Sequence, residues 1–190
     1  MFQRLLNIYL CKEKMFENFR IIDFQLCKSD YNGFFIKELA ILNYSKSDGM
    51  NVSVYLIEPP EDMILTRKDQ YHNNYLERNI HGLNVYSGTV LYNNLSDLLK
   101  PNDGVYLTIV KGKEKRNFLK NHYKAGIILN WDDENSQPLN EDRDRMNVHC
   151  TYHDGKKNFS CAFKHCFIIL NSMIAAKEEL ENSIKRETSM

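Results

Sequence analysis

The chain has 190 residues, 43% of them hydrophobic and 12% aromatic, which suits one domain with a sizeable core and leaves little room for two. Lys plus Arg and Asp plus Glu both number 25, so no global field draws the molecule to a polyanion, and any such attraction must come from a local patch. Five Cys, odd in number and unevenly placed, fit a reducing compartment and metal ligation better than a disulfide scaffold.

Along the chain, residues 1–18 read as a short amphipathic arm, 19–182 as the folded domain and 183–190 as a polar tail. Arg4, Lys12, Glu13, Lys14, Glu17 and Arg20 break the apolar run of the arm, so it is expected to be neither signal peptide nor membrane span. An intracellular protein, cytoplasmic or nuclear, is the expectation. Segments 19–26, 34–42 and 52–57 read as strands, separated by turn-rich residues 29–33 and 47–49 that are short enough to make antiparallel hairpins. Pro59-Pro60 closes the third strand. The polar stretch 71–78 is predicted helical, and 91–100 is a short helix stopped by Pro101 and Gly104. A fourth strand at 105–110, a helix at 113–124, a fifth strand at 127–130, a segment 131–146 too polar to pack and a final helix at 158–181 complete the pattern. The fold class is therefore α/β: a five-stranded mixed sheet, three antiparallel strands first, flanked by helices, in the order of an RNase H-like domain.

The densest chemistry lies late in the chain. Cys150 and His153 are three residues apart, so one turn can aim a thiolate and an imidazole at one point, and Cys161 can return to it. Zinc takes four such donors in a tetrahedron, which leaves one position for a distant ligand or for water. Glu38 is a candidate for that position: on a strand it shares a face with Ile36, Ala40 and Leu42, and a carboxylate facing an apolar surface needs a partner. Two readings stand for each group. Glu38 is either a ligand or an edge residue that reaches solvent or a lysine, and Cys150 and Cys161 are either ligands or small buried fillers. Cys166 and His165 read as core and surface residues. Lys111, Lys113, Lys115 and Arg116 cluster where the fourth strand turns into a helix; they read either as a phosphate-gripping patch, with Lys100, Lys120, Lys124, Tyr123 and Trp131 as extensions, or as a solvated helix start.

The Glu38 strand, the Cys150-x-x-His153 pair and Cys161, with seven residues between it and His153, closely resemble the Maelstrom domain, whose hallmark is a Glu-Cys-His-Cys zinc constellation. Weaker likeness extends through residues 79–83, 111–119 and the last helix. The resemblance implies Glu38, Cys150, His153 and Cys161 as ligands of one structural zinc ion. It also implies single-stranded RNA as a partner, endonucleolytic cleavage as an activity, and small-RNA (piRNA) pathway proteins as associates in transposon silencing. The HMG box that accompanies this domain in many animal members is absent, which argues against DNA contact. The related DEDD exonucleases hold two metals on carboxylates, but here the first strand offers only Asp23 of an Asp-x-Glu pair, Lys115 stands for the second acid, and Cys161 and Cys166 replace the third motif. A two-metal exonuclease is therefore not expected, and none of His81, His122 or His149 is assigned as catalytic. The alternative is a zinc-stabilised protein-interaction module without catalysis.

Overall fold

Both faces of the first strand are apolar, and that places it at the centre of a sheet. In a computed structural model, which describes residues 17–29, 33–101, 107–123, 127–134, 149–153 and 159–188, β1 spans Asn18–Ser29 and is buried along most of its length. Phe19 and Ile21 face one layer, packed with Trp131, Ala162, Cys166 and Ile169; Ile22 and Phe24 face the other, with Leu95, Leu99 and Leu119. Burial of side chains this size contributes about 1.5–3 kcal/mol each, so the two layers fix which strand is central.

β2 (Gly33–Ser45) pairs antiparallel with β1 and with β3 (Gly49–Leu56), while β4 (Leu107–Val110) runs parallel to β1, and β5 (Ile127–Asn130) parallel to β4. The sheet is five-stranded and mixed, in the order β3-β2-β1-β4-β5. The strands run a few residues beyond their expected ends in β1 and β2, because the hairpin ladder continues past the last apolar residue.

α1 (Arg67–Leu76) begins before the expected start at 71, since Thr66 and Asp69 form a capping box that starts the helix. It widens into a π turn over Glu77–His81 and stops at Gly82, whose φ of 69° favours glycine and whose missing side chain admits the Phe159 ring. A 3-10 turn (Tyr92–Asn94) leads into the short α2 (Leu95–Leu98), and α3 (Lys113–His122) connects β4 to β5. α4 (Trp131–Glu134) follows β5, and α5 (Ala162–Thr188) lies over β1 and β2.

Several expectations are corrected. Trp131, at the head of the segment expected not to pack, is buried: it is 1% exposed, and its indole N–H donates to Ser172 Oγ at 3.0 Å. A ring so placed is not available to stack on a base. Tyr123 is also turned inward, against Phe118. The last helix continues to Thr188, so most of the expected polar tail is helical; its Glu, Lys and Arg residues are good helix formers that need no core contact to extend a helix. The arm before Glu17, the stop at Gly104, the polar stretch 135–146 and the expected start of the last helix at 158 lie outside the described residues. Among those described, no helix is long and apolar enough to cross a membrane.

One irregularity positions the site. Gln25 pairs with Glu38 but Leu26 pairs with Ile36, so Lys37 is an extra residue in β2, a bulge. The bulge breaks the simple alternation: Ile36 joins the layer of Ile22 and Phe24, while Glu38 stays with Ala40 and Leu42 toward α5. The face expected to carry Ile36 and Glu38 together is therefore split. Lys37 itself is fully buried, and its ammonium donates to the carbonyls of Ile57 at 2.9 Å, Val85 at 3.2 Å and Ser87.

Candidate metal centre

Three elements deliver four donors to one point. Glu38 comes from β2 just past the bulge, Cys150 and His153 from the turn 150–153, and Cys161 from the residue before α5. The turn closes through the His153 N–H donating to the Cys150 carbonyl at 3.0 Å, which brings thiol and imidazole side by side. The donor atoms of all four residues lie within 4.8 Å of one another, and all four residues are buried.

The spacings match a coordination shell. Cys150 Sγ stands 3.4 Å from His153 Nδ1 and 3.8 Å from Glu38 Oε1; Cys161 Sγ is 3.9 Å from the same oxygen, and His153 Nδ1 is 3.4 Å from it. A tetrahedron with metal–ligand bonds of about 2.0–2.3 Å has edges of about 3.3–3.8 Å. This cluster could hold one metal ion with little rearrangement.

Surrounding contacts orient each donor. His153 Nε2 lies 2.7 Å from the His81 carbonyl, which can only accept, so that nitrogen carries the proton and Nδ1 presents its lone pair to the cluster. The Ala162 N–H donates to Glu38 Oε2 at 3.0 Å, leaving Oε1 as the oxygen nearest both thiols. The π turn thus has a use: it carries His81 to where its carbonyl can hold the imidazole.

The electrostatics describe donors that lack enough positive charge among themselves. Burial pushes the Glu38 carboxyl up to about 7, against the lowering effects of His153 and the Ala162 N–H. A hydrogen bond from the Cys161 thiol lowers Cys150 to about 4 despite burial, with His153 adding to the lowering, while that bond and burial both raise Cys161. His153 is raised: burial opposes its charge, but Cys150 and Glu38 outweigh it. A divalent cation would replace this sharing of protons with direct ligation.

A second buried cluster lies on the same side of β1. Asp23 is 1% exposed; its carboxylate pairs with the Lys115 ammonium and accepts from His165 Nδ1 at 2.9 Å. Burial would raise this carboxyl, but Lys115 and His165 prevail and hold it below the ordinary range. The expectation of a surface His165 changes here. The partners of Asp23 come from α3 and α5, and His165 is a buried residue, since the α5 face that meets β1 carries it inward. Cys166 is core as expected, its thiol directed to the Ile21 and Ala40 carbonyls.

The expected phosphate-gripping residues are mostly engaged. Lys111 pairs with Asp132 at 2.6 Å, Arg116 with Asp133 at 3.1 Å and Lys115 with Asp23, which leaves Lys113 exposed on α3. Of the extensions, Lys100 pairs with Asp97 at 2.6 Å, Lys120 is exposed, and Lys124 lies outside the described residues. No protein-family model matches this chain, and no curated protein matches it.

The Asp23 pair makes a prediction about stability. Lys115→Met strands a buried carboxylate beside His165 and is expected to cost about 3–5 kcal/mol, whereas Lys115→Met with Asp23→Asn should recover much of it. Because the folded pKa of Asp23 is lowered from 3.8, its stabilising share is present above that value and is lost as the pH falls through the folded pKa. Urea melts of the wild type, the two single variants and the double variant between pH 2 and 7 measure both effects; a purely additive cycle would contradict the pairing.

Proposed function

We propose that this chain is a zinc-stapled RNase H-like domain of the Maelstrom type that binds single-stranded RNA. The observation that carries this reading is the convergence of Glu38, Cys150, His153 and Cys161 on one buried point. Two thiolates and an imidazole are soft or borderline donors, which suit zinc and disfavour magnesium or calcium. With the carboxylate they saturate a tetrahedron, so the metal's role is structural: it ties β2 to the turn 150–153 and the start of α5, and it leaves no coordination position for an attacking water. The β3-β2-β1-β4-β5 order, with β2 antiparallel to its neighbours, supports the RNase H-like reading, as does the placement of the one retained acid, Asp23, in the middle of β1.

Two-metal hydrolysis has no support in these residues. Among the described residues the only cluster of three or more metal-binding groups is the Glu-Cys-His-Cys set, and Asp23 is neutralised by Lys115. Any cleavage of RNA would have to proceed without paired cations, and small-RNA pathway proteins would be the associates of such a domain. A second reading, a zinc-stabilised protein-interaction module, is favoured by one observation: Lys111, Lys115 and Arg116 are already paired with acids.

Incubating the zinc-loaded protein with labelled single- and double-stranded RNA and DNA separates the readings. Binding is expected for single-stranded RNA, weakening steeply with salt because neutralised phosphates release counterions. Mg²⁺ is expected to produce no end-dependent shortening. Absence of RNA binding at low salt in a folded protein gives the lead to the interaction module, and an Mg²⁺-dependent ladder lost in Asp23→Asn would overturn the assignment of Asp23.

A further inference from the structure

The outer face of α1 carries a pattern that the metal centre does not use. At 3.6 residues per turn, Arg67, Lys68, Tyr71 and Tyr75 fall within about 100° of arc, opposite the buried Asp69 and Asn73, and Arg78 continues the stripe in the π turn. All five are exposed, Tyr71 at 78% and Tyr75 at 53%. Among the described residues their side chains have no hydrogen bond or ion pair. The acids of this segment are turned away: Asp69 serves the Thr66 cap, and Glu77 accepts from Asn84 at 3.1 Å. The result is a row of cation, ring, ring and cation with no carboxylate in it.

The chemistry of this row selects its partner. Tyrosine rings give flat stacking faces at small entropic cost, and unpaired guanidinium and ammonium groups beside them neutralise phosphates. Tyr71 and Tyr75 are four residues apart, about 6 Å along the axis, which is nearly twice the roughly 3.4 Å stacking step of a duplex strand. Only an extended strand with splayed bases fits that spacing; duplex bases are occupied by each other. Tyr and Arg serve protein interfaces as well, so what selects a strand here is the ring spacing together with cations on both flanks and no carboxylate in the row.

We propose that the Arg67–Tyr71–Tyr75–Arg78 face of α1 is the single-stranded RNA contact surface, with two bases on the tyrosines and phosphates on the flanking cations. This rests on the RNA-binding reading above and moves the contact away from the paired cations of α3.

The test uses the zinc-loaded full chain and an unstructured labelled RNA. Tyr71→Ala with Tyr75→Ala is expected to weaken binding at least tenfold, roughly, while Tyr71→Phe with Tyr75→Phe keeps it within about twofold, because stacking needs the ring and not the hydroxyl. Arg67→Ala with Arg78→Ala should lower the slope of log affinity against log salt by about 1.4, about 0.7 for each cation removed. The melting temperature reports folding, and the Arg and Phe pairs decide the matter if the Ala pair does not fold. If the wild type binds RNA and these variants match it in affinity and salt slope, this inference falls and the RNA reading stands. If the wild type binds no RNA, both fall together.

Discussion

Cys150→Ala is expected to leave a chain that neither holds metal nor folds stably. Structural zinc contributes about 10–16 kcal/mol of apparent binding free energy in small zinc domains, and whole domains have net stabilities of only about 5–15 kcal/mol. Losing one of four ligands removes much of that contribution and leaves Glu38, whose carboxyl burial already pushes up to about 7, beside His153 without a cation to share. Cys166→Ala is the matched control. It is a fully buried thiol one helical turn beyond Cys161, but it faces backbone carbonyls and should cost only about 1 kcal/mol, with metal content unchanged. Thermal melts with and without a strong chelator separate the two: wild type and Cys166→Ala should drop sharply on chelation, and Cys150→Ala should already be low and indifferent to it.

Lys37→Met should be among the most damaging single changes away from the metal. Burial lowers the Lys37 pKa to about 8, so the group is still an ammonium at neutral pH, and it spends its donors on the Ile57, Val85 and Ser87 carbonyls. Methionine fills a similar volume but donates nothing, so carbonyls buried at the end of β3 and in the loop 83–90 lose their partner. Unsatisfied buried acceptors cost about 1–3 kcal/mol each, and a total loss of about 3–5 kcal/mol is expected after partial relaxation. The loop cannot easily move aside, because the Glu58 N–H donates to the Val90 carbonyl at 2.8 Å and the Thr89 N–H to the Leu56 carbonyl at 2.8 Å. Denaturant unfolding of zinc-loaded Lys37→Met checks the size, and a loss under about 1 kcal/mol would show that water replaces the ammonium.

Much of the fold was legible in the sequence because its strands carry strong local signals. Alternating and fully apolar runs bounded by Asp-Gly and Pro-Pro located the sheet, and 127–130 was placed with the bounds that β5 has. What escaped was set by tertiary packing. Trp131 heads a polar segment, and only the nearby α5 shows why it is buried. The bulge at Lys37 leaves no period-2 signature, so Ile36 was assigned to the wrong face, although a lysine within an apolar strand was a cue that its ammonium must meet oxygen.

The four residues that cluster were readable because ligand chemistry restricts residue types, whereas the groups that orient them were not: the His81 carbonyl and the Ala162 N–H are backbone atoms with no sequence signal. The same holds for the cations. A run such as Lys111 to Arg116 announces charge, but Asp23, Asp132 and Asp133, which pair with it, are remote in sequence or separated by a strand. The α1 row was hidden for the opposite reason, since two tyrosines in a polar helix look like solvated surface until the buried face fixes their direction.

X-ray absorption at the zinc edge, on protein purified from metal-replete cells and weighed intact by native mass spectrometry, tests the central claim most directly. The account predicts one zinc per chain in a four-coordinate shell of two sulfurs at about 2.3 Å and two nitrogen or oxygen donors at about 2.0–2.2 Å, with one sulfur lost from the shell in Cys161→Ser. A folded, metal-free chain whose melt ignores chelator, or a zinc shell containing no sulfur, would contradict it.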